Sequence, residues 1–281
     1  MPELPEVEHA RRTIVRALDA DPIVRAETAD PIVVPQGPEV FATLVGAHLV
    51  ASERRGKSVI LRLAGPGARE LSFFFHLGMT GRLVVREPHD TEPVRFARWT
   101  IVTPRRAITL ADARRLGRVR VGPYDEVARD ARFSALGPDA LTITTGQALA
   151  ACFRGRGGKL VSAPIKTALM DQARLAGLGN IHAAEALFLA RIHPDRPTSS
   201  LRPAEWDALA RGVHETLART LASMREDEEL VYVSDGGPNP FFVYGKEGEP
   251  CPVCGAPIRR DEHSGRGTYY CAKCQKKARA R

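Results

Sequence analysis

Apolar residues recur along this chain with a helical period, then at every second position, then with a helical period again, and those changes divide the sequence. Between residues 5 and 18, Val7, Ala10, Ile14, Val15 and Leu18 fall on one face of a helix, with Pro5 and Glu6 suited to its first turn. Six short β-rich runs follow between residues 57 and 122: KSVILRL, ELSFFFHL, GRLVVRE, RWTIVTP, RAITL and GRVRVG. Stretches of Gly, Pro, Asp and Arg separate them, and so many short strands in so little chain predict a β-sandwich or barrel. After LGPDAL (136–141) the helical period returns in ALMDQARLAG (168–177), NIHAAEALFLARI (180–192) and PAEWDALARGVHETLARTLASM (203–224), with turns at GLGN and HPDRPTSS. SDGGPNP (234–240) reads as a loop, and a cysteine-bearing tail lies beyond it. The expected class is α+β, with a β-rich domain over 1–125, a linker over 126–150, a helical domain over 151–235 and a tail domain over 236–281.

Composition narrows the setting. The 281 residues suffice for two domains or for a large one with an appendage, and 43% hydrophobic residues can fill ordinary cores. No stretch approaches the roughly 18 to 20 uncharged apolar residues of a membrane span. Glu3, Glu6 and Glu8 stand where a secretory signal would be basic and then apolar, so a soluble, cytoplasmic protein is expected. Formal net charge is +8, and the last 46 residues hold nine Lys or Arg against four Asp or Glu. That balance favours a polyanionic partner without naming one.

Four of the five cysteines form two CxxC pairs, Cys251 with Cys254 and Cys271 with Cys274, sixteen residues apart. Four thiolates at that spacing fit one tetrahedral Zn2+, closed to further ligands and therefore structural. Two disulfides or a redox pair are the alternative, one that an intracellular setting disfavours. Cys152 stands apart and reads as a buried thiol without a task. Between the pairs, Arg266 lies between two glycines at an expected hairpin tip, where it is either a solvated charge or a phosphate contact on a metal-fixed scaffold. GLGN (177–180) follows a helical pattern and lacks the third glycine of a dinucleotide-binding loop. It reads as the turn of a helical pair opening at Asn180, whose turn amides suit a phosphate; an ordinary helical hairpin is the equal alternative.

The opening, MPELPEVEHARR, places proline after the initiator methionine. Removal of Met1 is expected, leaving Pro2 with a free secondary amine whose pKa near 8 keeps part of it unprotonated at neutral pH. Such an amine can attack a sugar C1′ to form an iminium, an electron sink that acidifies the C2′ proton, with Glu3 beside it to move protons. On its own, a Pro-Glu start is a weak signal.

Together the motifs carry a resemblance. MPELPEVE, RRGK with Lys57, HLGMTG with Met79, DARRLG with Arg115, LMDQARLAGLGNIHAAEALF and VYGKEGEPCPVCG occur in the order of the bacterial formamidopyrimidine-DNA glycosylases, in the superfamily shared with endonuclease VIII. The resemblance runs nearly end to end. It implies an N-terminal β-sandwich flanked by helices, a helix-two-turn-helix domain and a C-terminal β-hairpin zinc finger, with damaged duplex DNA bound between. It also implies a monomeric, bacterial glycosylase and abasic-site lyase of base excision repair that flips the lesion out of the stack. By position, Pro2 becomes the Schiff-base nucleophile, Glu3 the acid/base, and Lys57 a contact to the damaged nucleotide that assists proton transfer. Met79, Arg115 and Leu116 would fill the gap and meet the orphaned base, while Asn180 and Arg266 would grip phosphates. The resemblance also gives Arg266 a part in δ-elimination, and His76, Lys166 and Tyr244 further contacts to the DNA backbone.

Three departures accompany the resemblance. Leu116 stands where the family usually has Phe, His182 where it usually has Tyr, and SDGGPNPFFVYG is shorter than the stretch that includes the loop closing over 8-oxoguanine. The first reading is therefore excision of oxidised or ring-opened purines, favoured by Leu4 in MPELPE. The alternatives are an endonuclease VIII-like enzyme for oxidised pyrimidines or another lesion, favoured by the shortened loop, and a non-catalytic lesion-binding protein.

Overall fold

The computed structural model describes residues 2–277 except 130, 156, 226, 227 and 264. The chain forms two compact units, residues up to 134 with 223–236, and residues 135–222 with 237 onward. In the first, α1 (Leu4–Leu18) opens with Glu3 as its N-cap in a capping box and Pro5 in its first turn. Val7, Ala10, Ile14, Ala17 and Leu18 are buried, as the period predicts, and Val15 lies at the margin of the core.

The chain continues through β1 (Arg25–Thr28), α2 (Gly37–Ala42), β2 (His48–Arg55), β3 (Ser58–Ala64), β4 (Glu70–His76), β5 (Arg82–Arg86), β6 (Ala97–Val102), β7 (Ala107–Ala111), β8 (Arg118–Gly122), α3 (Tyr124–Ala128) and α4 (Ala131–Ser134). The strands pair antiparallel in two four-stranded sheets, ordered β1-β6-β7-β5 and β2-β3-β4-β8. Val59, Leu61, Leu63, Phe73 and Phe75 of one sheet share a core with Leu83, Trp99, Ile101, Ile108 and Leu110 of the other, the sandwich expected. Phe73 meets Trp99 edge-on at 5.2 Å between centroids and Phe41 of α2 at 5.8 Å. Each such fully buried large side chain contributes about 1.5–3 kcal/mol.

The apolar run in β4 is unbroken because both its faces are covered. Phe74 points away from the sandwich core and packs edge-on against Phe133 of α4 at 5.2 Å. The first part of the stretch expected to be a linker over 126–150 thus holds the end of α3 and all of α4, and Phe133 covers the outer face of the sheet.

β1 and β2 were not legible as strands. Each is an edge strand, RAET and HLVASERR, mostly half-buried or exposed and without an apolar alternation. Their pairing comes from the neighbour: β2 runs in register with β3 from His48 opposite Ala64 to Arg55 opposite Ser58, with one irregularity between Leu49 and Ala51. Residues 223–236, expected at the end of the helical domain, belong to the first unit instead. Tyr232 is buried there with its hydroxyl donating to the Gly81 carbonyl, and the Arg225 carbonyl bonds the His9 ring at 2.9 Å.

The second unit contains α5 (Gly146–Cys152), α6 (Ile165–Leu169), α7 (Asn180–Leu189), α8 (Pro203–Ser223) and the finger hairpin β9 (Arg259–His263) and β10 (Arg266–Tyr270). Every residue from Ile181 to Phe188 is buried, so α7 is the central helix of this unit. The helix expected over 168–177 is corrected: α6 ends at Leu169 and turns follow. The backbone of that stretch pairs elsewhere, with Gly137 N–H donating to the Gln172 carbonyl and Ala140 N–H to that of Ala176, both near 3.0 Å. The Gln172 side chain holds the turn by donating to the Met170 and Leu178 carbonyls and accepting from Gly177 N–H, where φ is +106°. α7 stops three residues before the expected 192, and Arg191 beyond it is left-handed at φ +56°. Among the described residues no helix is long and apolar enough to cross a membrane.

Candidate functional site

In the first unit, Pro2 and Glu3 are buried where α1 begins. Glu3 N–H donates to Glu6 Oε2 at 2.8 Å, fixing the residue that follows Pro2. A carboxylate in this position faces the positive end of the helix dipole. Met1, whose removal the sequence leads us to expect, lies outside the described residues.

Lys57 occupies the two-residue turn between β2 and β3, after Gly56, which takes the left-handed conformation such turns favour at φ +56°. The arginines before it serve the framework. Arg54 donates to the Gly56 carbonyl at 2.9 Å and lies 3.5 Å from Glu8, and Arg55 reaches Glu53 and the Tyr124 hydroxyl. Burial alone would raise the Glu8 carboxyl, but hydrogen bonds and charge from Arg11, Arg12 and Arg54 outweigh it and hold it below its ordinary value. Lys57, half-buried, is thus presented on a turn whose neighbours are immobilised.

His76 ends β4, and its Nδ1 accepts from Gly78 N–H at 2.9 Å, so the neutral ring carries its proton on Nε2. Beyond it Met79 is 38% exposed, and Leu116, on another loop, 37%. Two large apolar side chains left in solvent on adjoining loops are what an inserting element requires. Arg114 reaches Met79 Sδ at 3.5 Å. Arg115, directly before Leu116 in the chain, sits at φ +55° with its guanidinium paired with Asp30.

In the second unit, three expected residues converge. Asn180 is the first residue of α7, and its Nδ2 donates to the Gly267 carbonyl at 3.0 Å. Lys166 is fully buried: its Nζ donates to Asn180 Oδ1 at 2.6 Å, Thr268 Oγ1 at 2.6 Å and the Gly267 carbonyl at 3.2 Å. Held by three protein acceptors, the Lys166 ammonium orients the Asn180 amide. Arg266 begins β10 after Gly265 at φ +71°, exposed, with Nη1 3.9 Å from Met170 Sδ. Tyr244 packs edge-on against Tyr269 at 5.1 Å, and its backbone N–H, with those of Phe242 and Val243, donates to the buried Glu185 carboxylate at 2.7–3.0 Å. Glu185 stands inside NIHAAEALF, where a glutamate on a helix reads in sequence as a solvated charge. His182 is buried against Thr220 and Phe241, at 3.2 Å and 5.9 Å between centroids.

The thiols of Cys251, Cys254, Cys271 and Cys274 all lie within 4.8 Å of one another. Cys251 and Cys274 are 3.9 Å apart, Cys254 and Cys271 3.5 Å. Four sulfurs about 2.3 Å from a tetrahedral Zn2+ stand about 3.8 Å from each other, so the donor set fits zinc. The Ala256 N–H lowers Cys254 to about 7, whereas burial pushes Cys274 up to about 12. The metal would hold the base of the hairpin whose tip carries Arg266. Cys152 is half-buried, not buried as expected, its thiol donating to the Ala148 carbonyl at 3.4 Å.

Comparison with known proteins covers nearly the whole chain. Residues 1–119 match the formamidopyrimidine-DNA glycosylase N-terminal domain, 136–228 the formamidopyrimidine-DNA glycosylase H2TH domain, and 248–277 a zinc finger found in FPG and IleRS. Formamidopyrimidine-DNA glycosylases of Gluconobacter oxydans and Thermus thermophilus are each 37% identical across 98% of this chain and 100% and 98% of their own length. The Lactococcus lactis Fpg in complex with DNA containing an abasic site superposes with a TM-score of 0.83 at 29% identity, over 98% of this chain and all of that one. The same L. lactis protein bound to DNA containing an oxidised pyrimidine gives 0.84 at 29% identity, with the same coverage. The chain belongs to the formamidopyrimidine-DNA glycosylase family.

Proposed function

We propose that this protein is a DNA glycosylase and abasic-site lyase of base excision repair, acting as a cytoplasmic monomer on oxidised or ring-opened purines in duplex DNA. The observation that carries the reading is the burial of Pro2 and Glu3 together at the head of α1, where Glu6 fixes the Glu3 backbone. A binding protein needs neither an N-terminal amine nor a buried acid beside it.

Flipping the damaged nucleotide costs a few kcal/mol of stacking and pairing, less for a badly paired base. The unprotonated Pro2 nitrogen attacks C1′, and the N-glycosidic bond breaks as the base departs with a proton, with Lys57 and Glu3 as the proton-relaying groups of this reading. Ring opening gives the iminium, loss of the C2′ proton expels the 3′ phosphate, and a second elimination expels the 5′ phosphate. In this scheme Met79 and Leu116 occupy the vacated space, Arg115 meets the orphaned base, and His76, Asn180 and Arg266 hold phosphates. Tyr244 supports the finger side through Tyr269. When bound, zinc supplies rigidity to the hairpin and takes no part in the chemistry.

A second reading, excision of oxidised pyrimidines, is favoured by the short stretch between Asp235 and Gly245. Asn239 draws it in by donating to the Tyr244 carbonyl and accepting from Phe241 N–H. Borohydride trapping on duplexes carrying 8-oxoguanine, formamidopyrimidine, an oxidised pyrimidine or an abasic site tests both readings. Wild type should form a covalent adduct that is sharply reduced in Pro2→Gly, and the best base-containing substrate decides between them. No adduct on any duplex would overturn the lyase.

A further inference from the structure

The loops carrying Met79 and Leu116 come from different strand connections, residues 77–81 between β4 and β5 and residues 112–117 between β7 and β8, yet one buried carboxylate ties them. Asp112 is fully buried. Its Oδ1 accepts from the Thr80 hydroxyl at 2.5 Å and from Arg114 N–H at 3.2 Å, and its Oδ2 accepts from Gly117 N–H at 2.7 Å. Thr80 Oγ1 also accepts from Arg114 N–H at 3.2 Å, so the two loops meet twice. The Asp112 backbone is itself pinned, its N–H donating to the Phe96 carbonyl at 3.0 Å and its carbonyl accepting from Arg98 Nε at 2.7 Å. The loops interlock so closely that a Cβ on Gly78 would lie 2.5 Å from the Leu116 carbonyl carbon and 2.6 Å from Gly117 N.

We propose that Asp112 is a positioning residue that makes the Met79 and Leu116 loops one rigid wedge. The proposal rests on the reading of Met79 and Leu116 as the group that fills the flipped-out nucleotide's place. A wedge inserted into a base stack is pushed back by the bases it separates, so loops able to yield would insert poorly. Hydrogen bonds to a buried carboxylate are short and strong and resist that yielding. Asparagine is a poor substitute: with its oxygen on Gly117 N–H, its amide nitrogen faces Arg114 N–H and can only donate to Thr80 Oγ1, which reverses that bond and removes the charge.

The test compares borohydride trapping of an abasic site in a duplex with trapping of the same site in a single strand, which has no opposite strand and no gap to fill. Asp112→Asn and Thr80→Val should each lower the duplex rate relative to the single-strand rate by on the order of tenfold to a hundredfold, while Thr80→Ser keeps the wild-type ratio. Melting curves establish that each variant is folded; should Asp112→Asn not fold, the Thr80 pair decides. Met79→Ala with Leu116→Ala is the control for the wedge itself. If that double variant lowers the ratio and the folded Asp112 and Thr80 variants do not, or if these lose both substrates equally, the positioning role is overturned. If the double variant leaves the ratio unchanged, the gap-filling reading falls and the proposal falls with it.

Discussion

Arg115 and Asp30 form a two-point ion pair, Nε to Oδ2 at 2.8 Å and Nη2 to Oδ1 at 3.0 Å, with Arg98 a further 3.3 Å from Oδ2. Asp30 is buried and also accepts the Ile32 and Val33 N–H groups, while the Arg115 side chain is 41% exposed. The guanidinium proposed to meet the orphaned base is therefore anchored from below, on a backbone held in a left-handed conformation.

Asp30→Asn removes one of the two points and the charge, since asparagine offers one acceptor oxygen. We expect a loss of about 1–3 kcal/mol in stability. We also expect the rate differences among duplexes with the four opposite bases to narrow, in whatever order the wild type ranks them. Single-turnover cleavage across the four duplexes checks this, and four unchanged ratios would show that Arg115 does not depend on Asp30 in the complex.

Acid should weaken the protein through two arginine-held carboxyls. Burial opposes ionisation of Asp30, but Arg115 and the two backbone donors outweigh it and lower it from 3.8; Arg196, and then Arg202, bring Glu205 down from 4.5 to about 2 despite its burial. Both folded values lie below the unfolded ones, so the stability they contribute is present above the unfolded values and lost as pH falls through the folded ones. Urea melts of wild type and Glu205→Gln between pH 5 and pH 2 should converge as the pH drops. A constant difference across that window would contradict the assignment.

Lys166→Met should separate orientation from phosphate contact. It strands Asn180 Oδ1, Thr268 Oγ1 and the Gly267 carbonyl, with an expected cost of about 2–4 kcal/mol. Affinity for an abasic-analogue duplex should fall with the salt slope unchanged, whereas Arg266→Ala should lower the slope by about 1. A reduced slope in Lys166→Met would show that Lys166 contacts the DNA backbone directly.

Stripping zinc, by chelation or by Cys254→Ala, should unfold the hairpin and release Gly267 and Thr268 from Lys166 and Asn180. Duplex binding should then weaken. The core of the first unit, which holds none of the four cysteines, should keep its near-UV signal from Trp99. Full activity in metal-free protein would remove the finger from the site.

The sequence by itself determined what depends on neighbours along the chain. The period of α1, the apolar runs of the inner strands, the CxxC spacing and the hairpin tip at Arg266 were all legible, as were the motifs that gave the family. Tertiary structure decided the rest. RAET and HLVASERR become strands because inner strands offer them hydrogen bonds, and 168–177 leaves the helix because residues 137–140 claim its backbone groups. Lys166, Asp30, Asp112 and Glu185 look like surface charges in sequence, and only long-range packing buries them where their acceptors and donors must be satisfied. A local pattern reports which surface of an element is apolar; it carries no record of which distant backbone or charge completes a buried polar group.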